Sequence, residues 1–333
     1  MQQRYPLLRI LADGQFHSGV ALGAALGMGR SAVWKHLQAL AEWDIDLHAV
    51  PGKGYRLARP VDLLDHDIIC NALPPTAAAA LSGLEIHQDI DSTNRHLMNK
   101  ARLGAPSGQV CLAERQQAGR GRRGRAWVSP FGANIYLSLL WRFTLTAESL
   151  TGLGLAIGVA VNRALHETGL TDAGLKWPND ILWQNRKLAG ILLEMSGEMS
   201  GPCAVVIGVG LNVRMPASVV QARTPLIDQP WVDLETALGR PISRNQLATK
   251  LIQHIIYVIQ DFELHGFNCL HKEWAQHDLA QGQPVTLHLP HHTGNRTVNG
   301  IGRGVDASGA LLLEDHTGVR HYPSGEVSLR QVP

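Results

Sequence analysis

The chain has little cysteine and no closely spaced cysteine pair. Its four cysteines, Cys70, Cys111, Cys203 and Cys269, lie far apart in 333 residues. Because no C-x-x-C motif occurs, the sequence argues against a zinc site and against a disulfide framework, and it favours a reducing cytosol. We therefore expect no bound structural metal.

The sequence also lacks long hydrophobic runs and an excess of charge of one sign. No apolar run reaches about 18 residues, and the first ten residues lack the apolar core of a signal peptide. We expect a cytoplasmic protein with no membrane partner. Since the net charge is only +2, any anion site has to come from local clustering of basic residues. The length suggests two or three domains.

Histidine is plentiful, but its pattern is not that of a metal site. His288, His291 and His292 flank Pro290 in a turn-like stretch, without the spacing that places ligands on one face of a helix. The pattern predicts a solvated loop there.

The residue pattern of positions 1–62 predicts a winged helix-turn-helix domain. "SGVALGAALGM" is typical of a short helix closed by Gly27, and "RSAVWKHLQALAEW" has apolar residues at helical spacing. A strand, a tight turn at residues 51–54 and a second strand then form the pattern of a wing. A three-helix subdomain for protein contacts is the alternative. The side chains that we expect to contact DNA are Arg30, Ser31, Trp34, Lys35, Gln38 and Lys53.

The pattern of the remaining residues predicts a linker and two further domains, and we expect the whole chain to be an α+β protein. Residues 63–83 form the linker, which is rich in proline and alanine. Residues 84–278 alternate strand-like and helix-like runs, and the short connection between "ILW" and "KLAGILLEM" makes those strands antiparallel, so the sheet is mixed. Residues 279–333 contain only short strands between turns, which predicts a small β-barrel.

The stretch "AGRGRRGRAW" combines glycines and arginines and requires an explanation. Gly119, Gly121 and Gly124 match the dinucleotide fingerprint, but "ERQQA" precedes them and "RAWVSP" follows, so neither the strand nor the helix of a Rossmann turn is present. Arginine forks and close-approaching glycine amides suit phosphate. We expect a phosphate clamp that orders on binding an anion. A solvated basic loop or an RNA-binding patch is the alternative.

Three further stretches carry polar groups suited to a compact anionic ligand. "DSTN", at residues 91–94, offers small hydrogen-bonding side chains, although such clusters often only cap helices. "KWPND", at residues 176–180, places Asn179 and Asp180 on a turn. In "RKLAG" we expect Lys187 to share a strand face with Ala189 and Ile191, a costly arrangement unless the lysine serves an anion.

With these stretches in place, the chain resembles a known family. "AGRGRRGRAWVSPFGANIYLSLLWR", "KWPNDILWQNRKLAGILLEMSG" and "VIGVGLNV" together resemble the biotin–protein ligases. "HSGVALGAALGMGRSAVWKHLQAL" followed by "VPGKGYRL" resembles the DNA-binding domain of the bifunctional members, which also repress the biotin biosynthesis operon. The resemblance runs in order over essentially the whole chain. It implies a class II synthetase-like central domain and an SH3-like C-terminal barrel.

The resemblance implies a two-step reaction. Biotin and ATP, with Mg²⁺ expected, form biotinyl-5′-AMP, and biotin then passes to a lysine of the biotin carboxyl carrier protein. No tightly bound cofactor is implied. The adenylate-bound homodimer would bind operator DNA. The alternatives are a biotin sensor without ligase activity and a lipoate-type ligase.

The resemblance also implies the site residues. The biotin-binding residues are Ser92, Thr93, Asn94, Gln116, Arg120, Gly121, Arg122 and Lys187. The ATP-binding residues are Arg120, Arg125, Trp127, Lys187 and Asn212. Lys187 and Arg122 are expected to be catalytic. Asp180 is a candidate for the carboxylate that keeps the attacking amine neutral, against a purely structural role in the turn.

Overall fold

The computed structural model of the chain describes residues 4–197, 202–220, 227, 229–291, 294–323 and 328–331. Among these residues, no helix combines the length and the apolar character needed to cross a bilayer.

The N-terminal part is the predicted winged helix-turn-helix. Its elements are α1 (Arg4–Leu11), α2 (Gly19–Leu26), α3 (Arg30–Gln38), β1 (Leu47–Val50) and β2 (Gly54–Leu57). Ser18 caps α2 by accepting a hydrogen bond from the amide of Ala21, and Gly27 ends the helix in the left-handed conformation. Strands β1 and β2 pair antiparallel as the wing.

The predicted linker is largely helical. It contains α4 (His66–Ala72) and α5 (Pro75–Ala80). Asp65 caps α4 through the amides of Asp67 and Ile68. Ile69 and Ala77 are buried in the same apolar core as the central sheet, so this segment packs on the domain that follows it. The domain boundaries given above stay a proposal.

A seven-stranded mixed sheet forms the centre of the molecule. Its strand order is β3-β4-β5-β9-β8-β7-β6, with β3 and β4 parallel and the other neighbours antiparallel. The strands are β3 (Gly83–His87), β4 (Gln109–Ala113), β5 (Ile135–Phe143), β6 (Gly174–Lys176), β7 (Asp180–Trp183), β8 (Arg186–Gly197) and β9 (Cys203–Leu211). The turn between β7 and β8 uses positive φ at Gln184 and Asn185, which suits a two-residue hairpin.

The two faces of this sheet carry different elements. The helices of the domain are α6 (Thr93–Arg102), α7 (Leu153–Thr168), α8 (Ala217–Val220), α9 (Leu234–Leu238), α10 (Arg244–His265) and α11 (Asn268–Gln276). Apolar residues of α7, α10 and α11 bury one face of the sheet. Helix α6 covers part of the other face, and the rest of that face remains open as a cleft.

The C-terminal part is a five-stranded antiparallel sheet of order β13-β12-β11-β10-β14. Its strands are β10 (Pro284–His291), β11 (Gly294–Val305), β12 (Leu311–Asp315), β13 (Gly318–Tyr322) and β14 (Ser328–Gln331). The predicted three-part α+β architecture is confirmed, whereas closure of this sheet into a barrel stays a prediction. The predicted loop around Pro290 is wrong: His288 and His291 lie in β10, because the strand continues through the proline to its end, and His292 lies outside the described residues.

Candidate active site

A cleft of about 860 Å³ opens on the face of the central sheet that carries α6. Every residue that the sequence assigns to biotin or ATP lines this cleft. The lining comes from the start of α6, the arginine-rich loop, the turn before β7, and strands β8 and β9. Residues far apart in the sequence are therefore brought together in one place.

The start of α6 supplies a buried polar end of the cleft. Ser92 is the N-cap residue, and Thr93 donates from its amide and hydroxyl to Gln116 Oε1 at 2.9 and 3.1 Å. Ser138 Oγ lies 2.7 Å from Thr93 Oγ1 and 2.6 Å from Asn94 Oδ1. The sequence reasoning missed Ser138, because its position is a buried strand residue with no motif of its own.

Glu194 links this polar end to the arginine-rich loop. Its carboxylate accepts a hydrogen bond from Asn94 Nδ2 at 2.9 Å and lies 3.1 Å from Arg120 Nη2. A Cβ atom at Gly208 would lie 2.2 Å from Asn94 Oδ1, so only glycine leaves room for this side chain. The sequence reasoning also missed Glu194, because its place beside Asn94 depends on how α6 packs over β8 and β9.

The arginine-rich loop folds back over the cleft. Gly121 N donates to Arg125 O at 2.7 Å, and Trp127 N donates to Gly119 O at 2.9 Å. Arg122 Nη1 donates to Asn179 Oδ1 at 3.1 Å, which joins the loop to the turn before β7. Burial lowers the pKa of Arg122, and an anionic ligand beside it would oppose that shift. Ordering of this loop by an anion stays a prediction.

Lys187 points into the cleft from β8. Its Nζ lies 2.8 Å from Asp180 Oδ1 and 5.4 Å from the centre of the Trp127 ring. The expectation that Lys187 shares a face with Ala189 and Ile191 is wrong. The pairing of β7 with β8 contains a register shift between Lys187 and Ala189. Lys187 therefore lies on the same face of the sheet as Gly190, whereas Ala189 and Ile191 pack in the core.

Two buried polar atoms in the cleft have no protein partner among the described residues: Trp127 Nε1 and Asn212 Oδ1. Asn212 Nδ2 donates to Val232 O at 3.1 Å, which holds the amide in place. A buried donor or acceptor without a partner is costly unless a ligand or water satisfies it. These two atoms therefore identify a place where a polar ligand can bind.

Comparisons with known proteins agree with this geometry. The biotin/lipoate A/B protein ligase family matches residues 87–212, the biotin protein ligase C-terminal domain matches residues 281–330, and a helix-turn-helix domain matches residues 4–56. The bifunctional ligase/repressor BirA of Salmonella typhimurium is 42% identical over 325 residues, which are 97% of this chain and 96% of that protein. The chain belongs to the biotin–protein ligase family.

Two further relatives show how widely the similarity extends. The bifunctional ligase/repressor BirA of Bacillus subtilis is 32% identical to this ligase, over 96% of the chain and 95% of the relative. Among solved structures, the biotin protein ligase from Aquifex aeolicus in complex with biotin and ATP has a TM-score of 0.63 at 27% identity. The match covers 76% of this chain and 100% of the Aquifex chain.

In this ligase, the predicted DNA-contacting residues are grouped on one exposed surface. Arg30, Ser31, Trp34, Lys35 and Gln38 lie on α3, and all of them are exposed. Trp34 is 48% exposed although it is large and apolar. Lys53 is exposed at the tip of the wing. Gly29 is the N-cap residue of α3 and supplies no side-chain cap.

Proposed function

We propose that the protein activates biotin with ATP to biotinyl-5′-AMP and transfers biotin to a lysine of the biotin carboxyl carrier protein. The observation that carries this proposal is that Lys187 Nζ lies in the same cleft as the buried polar groups at the start of α6 and the unpartnered atoms of Trp127 and Asn212. A lysine ammonium group therefore shares one cleft with two sets of groups that suit two different parts of a ligand.

The α6 end is the proposed biotin site. The hydroxyl and amide groups here are already held in place: Thr93 donates to Gln116, Ser92 accepts from the amide of Arg95, and Asn94 is bound by Glu194 and Ser138. Prearranged polar groups of this kind fix the orientation of a compact ligand at little entropic cost. Arg120, Gly121 and Arg122 would close over biotin and the phosphate from the loop.

The opposite end is the proposed adenylate site. Trp127 Nε1 and Asn212 Oδ1 supply a donor and an acceptor that lack protein partners, which suits the adenosine moiety. Arg125, on the exposed part of the loop, and Arg120 are proposed to face the phosphates. We propose that ATP enters as its Mg²⁺ complex.

The first step, formation of the adenylate, requires positive charge at the α-phosphate and does not require proton transfer. The carboxylate of biotin is ionised at neutral pH, so it attacks the α-phosphate without a general base. The barrier arises because two anions are brought together, and fixed cations lower it. Lys187 is proposed to bridge the carboxylate and the α-phosphate, and Arg122 is proposed to hold the adenylate once it forms.

The second step requires a neutral amine on the carrier lysine. Asp180 lies 2.8 Å from Lys187, so its carboxylate stands where the acyl group is proposed to bind. We propose that Asp180 takes a proton from the ammonium group of the carrier lysine, which leaves the neutral amine that attacks the acyl carbon and displaces AMP.

The adenylate-bound homodimer is proposed to pair two copies of α3 and the wing for binding to operator DNA of the biotin operon. A cytoplasmic location follows from these partners.

The test is biotin-dependent exchange of pyrophosphate into ATP by the full-length protein. We expect exchange that requires biotin and that falls by about 100-fold or more in Lys187→Ala, since a fixed charge at the reacting phosphate is lost. Lys272→Ala is the matched control, because Lys272 is an exposed lysine of α11.

Each outcome of this test decides between named functions. Exchange with lipoate in place of biotin would indicate a lipoate-type ligase. Folded protein that binds biotin without any exchange would indicate a sensor, and the proposed ligase activity would then be wrong. Full exchange in Lys187→Ala would remove Lys187 from the reaction.

A further inference from the structure

Three potential metal ligands lie together at the edge of the central sheet. The proposed reaction does not use them. They are His87 at the end of β3, His96 on α6 and Cys111 on β4. One ligand atom from each residue lies within 4.8 Å of the ligand atoms of the other two. The cluster is on the same face of the sheet as the cleft, beyond the start of α6.

The register of the sheet explains this arrangement. Glu85 pairs with Cys111 across the parallel strands, so their side chains share a face, and His87 follows two residues after Glu85 on the same face. His96 lies on the first turn of α6 and faces this edge, with its ring centre 4.8 Å from that of His87. Cys111 is fully buried beneath them.

Glu85 holds both imidazole rings. Its Oε2 lies 2.7 Å from His96 Nε2 and 3.3 Å from His87 Nε2, and its other oxygen pairs with Lys100. A carboxylate that accepts hydrogen bonds from ligand histidines is the usual support of a metal site, because it orients the rings.

We propose that His87, His96 and Cys111 bind a borderline-soft divalent cation of the Zn²⁺ class, with Glu85 as the residue that positions the two rings. Two imidazoles and a thiolate are ligands that Zn²⁺ prefers, whereas Mg²⁺ and Ca²⁺ prefer oxygen. A water molecule would complete the coordination.

The site is open to an ion from solvent. The side chains of His87 and His96 are 32% and 28% exposed, so an ion from solvent can reach the two rings, and the fully buried thiol of Cys111 lies on the inner side of the cluster. A metal binds cysteine as the thiolate, so binding at this site displaces the thiol proton of Cys111.

A bound ion would stiffen the segment between its ligands. His87 ends β3 and His96 lies on α6, so the ion closes a loop that contains residues 88–92 and with them Ser92. Joining β3, β4 and α6 through one ion stabilises the folded chain, because the unfolded chain does not hold the three ligands together.

The experiment is titration of the chelator-treated, full-length protein with Co²⁺, followed by displacement with Zn²⁺. We expect one Co²⁺ per chain and a near-ultraviolet sulfur-to-cobalt charge-transfer band that Zn²⁺ removes. Zn²⁺ should also raise the thermal unfolding midpoint.

The variants are chosen to separate the site from other thiols. Cys111→Ala and His87→Gln should lose the charge-transfer band and the Zn²⁺-dependent rise in the midpoint. Glu85→Gln should retain the band but bind Co²⁺ about 10- to 100-fold more weakly. Cys269→Ser is the matched control, because Cys269 is an exposed thiol on α11, and it should behave as the wild type.

His87→Gln keeps the buried thiol intact, so it tests the proposal even where Cys111→Ala fails to fold. A wild-type protein without the charge-transfer band overturns the proposal. So does a band that persists in folded Cys111→Ala or in His87→Gln, or one that disappears in Cys269→Ser.

Discussion

Gly210 shows how one residue without a side chain shapes the adenylate end of the cleft. A Cβ atom at this position would lie 2.5 Å from Cε2 of the Trp127 indole, so Gly210→Ala has to displace that ring. We expect the KM for ATP in pyrophosphate exchange to rise roughly tenfold, which corresponds to about 1.4 kcal/mol. Gly154→Ala is the control, since its Cβ would make only ordinary contacts, at 3.7 Å from Leu193 and 4.0 Å from the carbonyl oxygen of Pro178. An unchanged KM for ATP would remove Trp127 from the proposed adenosine contacts.

A substitution at Asp180 tests the second step of the reaction, the transfer of biotin to the carrier. Asp180→Asn keeps the shape of the side chain and removes its charge, so it should slow biotin transfer from preformed adenylate by about 100-fold or more. The measurement is single-turnover transfer to the carrier protein. If only adenylate formation is slowed and transfer keeps its rate, Asp180 orients Lys187 and is not the base.

The arginine-rich loop acts as an element through its hydrogen bonds to the rest of the cleft. Arg122 Nη1 donates to Asn179, so Arg122→Gly removes a connection that holds the loop over the proposed adenylate site. We expect the adenylate to escape and to label lysines of an unrelated protein, such as serum albumin, mixed with the carrier. Arg123→Gly, an exposed neighbour in the same loop, is the control. Labelling confined to the carrier in Arg122→Gly would contradict this role.

Helix α3 and the wing form the second functional element. Lys35 and Lys53 are both exposed, one on each part of the proposed DNA surface. Each substitution by alanine should weaken binding to a random-sequence duplex and should reduce the slope of log affinity against log salt by about 1. Fluorescence anisotropy at several salt concentrations measures this slope, with Lys272→Ala as the control. A slope unchanged in both variants would indicate that this surface does not contact phosphates.

At the scale of the whole molecule, two features join the N-terminal part to the ligase domain. Phe131, four residues after Trp127, stacks on Trp43 with ring centres 4.2 Å apart and belongs to the apolar core of the N-terminal part. Arg244 at the start of α10 donates a hydrogen bond from Nη1 to the carbonyl oxygen of Asp62 at 2.8 Å, and its guanidinium also lies 2.7 Å from the fully buried Glu114. The DNA-binding part is therefore packed directly against the loop that follows the cleft.

The buried ion pair at this junction allows a stability prediction. Arg244→Met leaves the carboxylate of Glu114 buried without a counter-charge, so the free energy of unfolding should fall by about 3–5 kcal/mol in urea denaturation. Arg163→Met breaks the half-exposed pair with Glu273 and should cost at most about 1 kcal/mol. Equal losses in the two variants would show that burial of the Arg244–Glu114 pair does not determine its contribution.

Features that depend on neighbouring residues were predictable from the sequence, whereas contacts between distant segments were not. Periodicity and turn residues predicted α2, α3, the wing and the β7–β8 hairpin, because each depends on neighbours in the chain. The ligand stretches "DSTN", "GRGRRGR" and "KWPND" were found for the same reason, since each is contiguous. Glu194 and Ser138 were not found, because their places beside Asn94 depend on the packing of α6 against β5 and β8, which lie far from α6 in the sequence.

The sequence by itself therefore determined the three-part architecture, the family and a set of ligand-binding candidates, all of which line the cleft. Only the tertiary structure decided which of them meet and on which face. A register shift in β7–β8 moved Lys187 to the open side of the sheet, and the pairing of β3 with β4 brought Cys111 to His87 and His96. The physical reason is that side chains alternate between the faces of a sheet. Contacts across strands consequently depend on a register that no single segment encodes.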